Sequence, residues 1–240
     1  MPATTNKQRL LMQLFTVLKK QYEPAEPEAR PVLEQFLYAL CREGTTRQQA
    51  DLAYKALRER FFDWNEIRVS SERELEEALG RLPDAEARAT RLISFLQEVF
   101  ETTFSFDLES LHKKGLKQAA KQLARYQAAN DYAVAWVIQQ ALGGHAIPLD
   151  GPSIRALRRL GLLEGNSDDP EGLRASLEHL VPKARGALFN ELVSILADEF
   201  CTEIEPQCAG CPLAGDCPTG QEALWNPAAG AGRAPRPKPR

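Results

Sequence analysis

Apolar residues recur along this chain with a helical period almost from end to end. Leu10, Leu11, Leu14, Phe15 and Leu18 form an i, i+3, i+4 stripe that predicts an amphipathic helix over residues 7–21. Pro24, Pro27 and Pro31 interrupt the chain, and Val32, Phe36, Leu37 and Leu40 mark a second helix ending near Gly44. Thr45 or Thr46 caps a third, whose buried side carries Ala50, Leu52, Ala53, Leu57 and Phe61. Ser71 and Glu74 make a capping box that opens a short helix towards Leu79. Another helix starts at Pro83-Asp84 and bears Leu92, Ile93, Leu96, Val99 and Phe100, and a short one with Leu108 and Leu111 precedes Gly115. Residues 116–126 and 132–142 give two helices on either side of residues 127–131. Pro152 and Pro170 sit where a first-turn proline is favoured, opening helices over 152–160 and 170–180. The last helix, 184–200, presents Leu188, Leu192, Ile195 and Leu196. No alternating strand pattern runs beyond a few residues, so the fold class is all-α, with about ten helices and no internal repeat.

The 240 residues suffice for a sizeable core, in one large domain or two small lobes. No apolar run reaches the length of a membrane span, and Met1 is followed by polar residues, so the expectation is a cytoplasmic protein without a membrane partner. The net charge of −3 gives no global support for a polyanionic partner, which leaves that argument to local patches. After Pro218 the composition shifts to Ala, Gly and Pro with Arg233, Arg236, Lys238 and Arg240, and residues 218–240 are expected to be a disordered basic tail.

Four of the five cysteines crowd together as Cys201, Cys208, Cys211 and Cys217, spaced C-x6-C-x2-C-x5-C among prolines and glycines. Four thiolates complete a [4Fe–4S] cubane. Structural zinc is the competing reading, but it usually comes as two C-x2-C pairs, and only Cys208 and Cys211 make one here. Disulfides are the third, disfavoured in a reducing compartment. The spacing ranks the cluster first.

This cysteine spacing at the end of a mostly helical chain resembles the cluster loop of the endonuclease III family, the iron–sulfur branch of the helix-hairpin-helix DNA glycosylases that includes the adenine DNA glycosylases. The resemblance covers residues 30–217. It implies a two-lobed helical fold with a C-terminal [4Fe–4S] loop: one lobe over about 30–135, a second from 1–29 plus 136–200, and the loop 201–217. It also implies a monomer acting on double-stranded DNA in base-excision repair, with an aspartate that stabilises positive charge developing on the sugar. The candidate is Asp150, in Pro148-Leu-Asp-Gly-Pro-Ser-Ile-Arg155. Read without the resemblance, an Asp before Gly-Pro at a helix start is an ordinary N-cap.

Eighteen residues before Asp150 stands Tyr132, the position matching the lysine nucleophile of bifunctional endonuclease III. A lysine there forms a Schiff base and permits strand cleavage; tyrosine does not. The resemblance therefore implies a monofunctional glycosylase, with a catalytically degenerate DNA-binding or scaffold relative as the alternative. The stretch matching the family's glycine-bearing hairpin is Tyr126-Gln-Ala-Ala-Asn-Asp-Tyr132, with Ala128 and Asn130 where glycines stand and Asn130 expected to keep part of a left-handed turn. The glutamate that adenine DNA glycosylases use falls at Phe36, and Glu34, two residues off, reads as a solvated carboxylate. Cys41 reads as a small buried hydrophobe.

Local basicity gives DNA partial support. Lys113, Lys114, Lys117, Lys121 and Arg125 fall in an acid-free run that leads into the hairpin, and Arg155 follows Asp150. Together with Asn130 these are the DNA-binding candidates. Glu203 and Glu205 inside the cysteine loop act against a phosphate backbone, and His112, His145 and His179 lack metal-ligand spacing.

Overall fold

A computed structural model describes residues 2–24, 26–165 and 169–225. In chain order the helices are α1 (Pro2–Gln13), α2 (Lys19–Tyr22), α3 (Val32–Arg42), α4 (Arg47–Arg60), α5 (Trp64–Val69), α6 (Glu72–Leu79) and α7 (Ala85–Thr103). After these come α8 (Leu116–Leu123), α9 (Asp131–Gln140), α10 (Gly151–Leu160), α11 (Pro170–Leu180), α12 (Gly186–Ile195) and α13 (Pro218–Trp225). The fold is all-α, and among the described residues there is no strand. No helix among them is long and apolar enough to cross a membrane.

The capping chemistry acts as read. Thr46 and Ser71 each close a capping box, on Gln49 and Glu74, and Asp169 accepts from the Glu171 and Gly172 amides ahead of Pro170. Other features depart from the sequence reading. α5 was absent from it, its six residues being too short for a periodic signal. Leu52, assigned to the buried side of α4, is 62% exposed. Residues 218–225 form α13 instead of tail, and residues 226–240 lie outside the described set.

The described residues divide into two compact units, residues 26–150 with 169–190, and residues 2–24 with 151–165 and 191–225. The first takes in 136–150 and 169–190, which the lobe expectation assigned elsewhere. The reason lies in polar ties within it: Gln139 Nε2 donates to Ala146 O at 2.6 Å, and Asn190 Nδ2 donates to Gln139 Oε1 at 2.6 Å.

In the first unit α3 is buried on nearly every face, packed by α4, α7 and α9. Phe36 stacks on Phe95 with centroids 3.9 Å apart, and Tyr126 meets Phe95 edge-on at 5.1 Å. Burial of each of these phenylalanines stabilises the unit by about 3 kcal/mol. Beside them runs a row of rings, Tyr132 on Trp136, Trp136 beside Tyr38 and Tyr38 on Tyr54, with centroid steps of 6.0, 5.7 and 5.6 Å. In the second unit the stripe Leu10, Leu11, Leu14, Phe15 and Leu18 is buried as its period required.

Candidate functional site

In the second unit the last long helix relaxes into a π-helical turn, Leu196–Phe200, in which the Cys201 amide donates to Leu196 O at 2.7 Å. That wider turn delivers Cys201 to the start of the loop. Cys208 opens a 3-10 turn, Cys211 follows it, and Cys217 directly precedes α13. All four cysteines line one cavity, whose apolar wall includes Ala156, Leu160, Leu196, Phe200 and Leu213. The Gly220 amide donates to Cys217 Sγ at 3.4 Å, and Arg159 Nη1 lies 3.6 Å from Cys201 Sγ. These two donors suit a thiolate, whereas the Cys217 thiol also donates to Arg159 O at 3.2 Å.

Burial pushes up the thiols of Cys208, Cys211 and Cys217, with neighbouring cysteines adding to the effect. A bound cation reverses that preference, because coordination holds a thiol deprotonated. Among the described residues no group of three or more His, Cys, Asp or Glu side chains is arranged to hold a metal ion.

Two arginines brace this loop. Arg155 Nε donates to Cys201 O at 3.0 Å and its Nη2 to Ala197 O at 3.3 Å. Arg159 donates to Thr202 O at 2.6 Å and to Glu203 O at 3.0 Å. Arg155, grouped with the DNA-binding candidates by its position after Asp150, is therefore half-buried and committed to main-chain carbonyls. α13 completes the wall. A Cβ on Gly220 would lie 2.7 Å from Ala214 O, so only glycine allows this approach of helix to loop.

The second candidate region belongs to the first unit. Asp150 is half-buried, and its Oδ2 accepts from the Gly44 amide at 2.9 Å, a contact between positions 106 residues apart. Tyr132 is 6% exposed and lies against Trp136, whose Nε1 donates to the buried Gln35 at 2.9 Å. The hairpin turn closes without any left-handed residue, which corrects the expectation for Asn130. Asn130 is extended, with φ −137°, and caps α9 by accepting from the Ala133 amide at 2.9 Å. The Gln127 amide donates to Glu98, Ala128 O accepts from Arg91, and Asp131 pairs with Arg174.

Lys113, Lys114, Lys117, Lys121 and Arg125 are all exposed, and none forms an ion pair with another described residue. Lys117 and Lys121 stand one helical turn apart on one side of α8, and Arg125 follows just beyond its end. Phe36 is fully buried, so no acid stands there. Glu34 is not simply solvated: it is half-buried and accepts from the Tyr54 hydroxyl at 2.6 Å. Cys41 is fully buried, and burial pushes its thiol up to about 12.

Sequence reasoning missed Glu43, Gly44, Arg88 and Arg91, whose partners lie far away in the chain, and it missed α13. For α13 a signal was present, a proline in first-turn position after Cys217, but the composition of the tail masked it.

No family model matches the chain, and no curated protein matches it. Solved structures do. A non-covalent endonuclease III–DNA complex superposes with a TM-score of 0.70 at 18% identity, covering 91% of this chain and 98% of that one. A thermostable thymine-DNA glycosylase gives 0.67 at 17% identity over 92% and 99%. The 3-methyladenine DNA glycosylase MagIII of H. pylori, bound to 1,N6-ethenoadenine, gives 0.57 at 15% identity over 79% and 96%. The chain has the fold of the endonuclease III-like, helix-hairpin-helix DNA glycosylases.

Proposed function

We propose that this chain is a base-excision DNA glycosylase of the endonuclease III type. In this reading it is monofunctional, uses Asp150, and carries a [4Fe–4S] cluster on Cys201, Cys208, Cys211 and Cys217. The observation that carries the reading is the coincidence of two things: the glycosylase fold over nine-tenths of the chain, and a cavity walled by four cysteines. The four cysteines would hold such a cluster through one thiolate on each iron. Donors near sulfur and an apolar wall suit the same group. When bound, the cluster ties together the residues of its loop.

The chemistry of base release then falls to this chain's own side chains. Asp150, an acceptor fixed by the Gly44 amide, is the carboxylate that stabilises positive charge on the sugar as the base departs. Tyr132 offers no amine for a Schiff base, so the reaction ends at base release without β-elimination. Bringing the sugar to Asp150 requires the nucleotide to leave the helix. The exposed lysines of residues 113–121 supply the attraction to phosphate.

One set of contacts favours a second reading, a cluster-bearing relative that binds without catalysis. Asn130 is used as a helix cap, and Asp131 places a carboxylate in the turn where an anion would approach. The experiment is anaerobic purification with iron and zinc analysis and an absorption spectrum, followed by base release from a panel of damaged duplexes. The expected result is brown protein that releases base without nicking, with Asp150→Asn abolishing release and sparing binding. Cys208→Ser should lose the colour and the iron together. Brown protein that binds duplex and releases nothing would select the second reading. A colourless, zinc-loaded wild type would sink the cluster.

A further inference from the structure

We infer that residues 43–45 form a positioning device for Asp150, tying its carboxylate to the hairpin turn through two adjacent residues, Glu43 and Gly44. The inference rests on the proposed role of Asp150.

The loop follows α3, and its main chain is held from outside by a buried arginine. Arg88 on α7 is 7% exposed and donates to Leu40 O, to Glu43 O at 2.6 Å and to Pro83 O at 2.7 Å. Burial first, and the nearby Arg91 charge after it, pull this guanidinium's proton affinity down, and a full set of carbonyl partners makes such a site tolerable. Arg42 adds a bond to Thr45 O, and the Thr45 hydroxyl donates back to Cys41 O at 2.9 Å. Gly44 takes φ +67°, a conformation that strains any residue with a Cβ.

Held in this way, the loop reaches in two directions. The Gly44 amide donates to Asp150 Oδ2 at 2.9 Å. Glu43 accepts from Asn130 Nδ2 at 2.7 Å and from Arg91 Nη1 at 2.9 Å. Arg91 in turn donates through Nε and Nη2 to Ala128 O, at 3.2 and 3.0 Å. The two hairpin positions without glycine, 128 and 130, are thus the two that connect to Glu43. Arg88 and Arg42 hold the loop's main chain, and the Glu43 carboxylate anchors it to the hairpin; without that anchor the Gly44 amide sits less firmly against Asp150, and the carboxylate is held less well where charge develops.

The test uses the full chain, labelled with 15N. Exchange of the Gly44 amide proton reads the bond directly, with the amides of α6 as reference. Asp150→Ala should speed Gly44 exchange about tenfold, the scale of one lost hydrogen bond. Glu43→Ala should do the same without altering α6. Arg91→Gln, which cuts the tie from the other side, should follow it, and serves if Glu43→Ala does not fold. In base-release assays Glu43→Ala should lower kcat about tenfold with KM for duplex little changed, and Glu43→Gln, still an acceptor for Asn130, should recover most of the loss. Gly44 exchange unchanged in Glu43→Ala and Arg91→Gln would overturn the inference, as would an intact kcat. A wild type that releases no base would sink the glycosylase reading alone, leaving the exchange results to decide the positioning claim.

Discussion

Burial decides chemistry residue by residue here, and Cys41 is the clearest case. The chain has five cysteines. Four of them are only half-buried around one cavity, and Cys41 is enclosed in the α3 core with its thiol pushed up to about 12 by desolvation. A thiol must ionise to react, so Cys41 should resist alkylation at pH 8 in the native protein and react only after unfolding. Peptide mapping after brief iodoacetamide treatment checks this, and native-state labelling of Cys41 would contradict its enclosure. The linkage has a definite sign. An unfolded thiol ionises near pH 8.5, so the contribution of this buried thiol is complete below that pH. It is lost progressively as the pH rises towards 12. The same principle separates Glu34 from its sequence reading. Its spacing on α3 gave no hint of Tyr54, which comes from a different helix and turns a surface carboxylate into a half-buried acceptor.

Among the elements, α13 carries the sharpest prediction. It packs against the loop that holds Cys208 and Cys211, and Gly220 makes the contact possible, since a Cβ there would fall 2.8 Å from Ala214 Cα. Gly220→Ala should therefore destabilise this unit by about 1–3 kcal/mol and, on the proposed cluster, lower iron content in the purified protein. Thermal unfolding and metal analysis on the same sample check both, and a variant with wild-type iron would remove α13 from the cysteine site. The helices with a long apolar period or a cap box, such as α4, α6 and α7, were legible because local chemistry determines them. α13 and α5 were not, because each is short and acquires its place from neighbours distant in sequence. The site divides in the same way. Four cysteines in seventeen residues declare themselves through spacing, whereas the Gly44–Asp150 bond joins positions that no local pattern relates. Arg155 shows the same limit. A basic residue near a candidate acid carries no sign, in sequence, of the carbonyls that claim it.

At the scale of the whole molecule, a chain of net charge −3 has to bind a polyanion through a local field or not at all. The exposed run from Lys113 to Arg125 is the candidate for that field, with no acid within it and no ion pair to another described residue drawing on its charges. The hairpin adds little, since Asn130 is engaged as a cap and Asp131 faces Arg174. Duplex binding should then be strongly salt-dependent, because each phosphate neutralised releases condensed counterions. Lys117 and Lys121 are one helical turn apart on α8, and neither side chain contributes to the core. Replacing both by alanine should leave the fold intact and flatten the plot of log K against log salt by about 1.8, the value for two lost phosphate contacts. Anisotropy titrations of an undamaged duplex at several salt concentrations measure the slope. An unchanged slope would mean that the phosphate grip lies elsewhere, and would turn attention from α8 to the remaining exposed cations Lys113, Lys114 and Arg125.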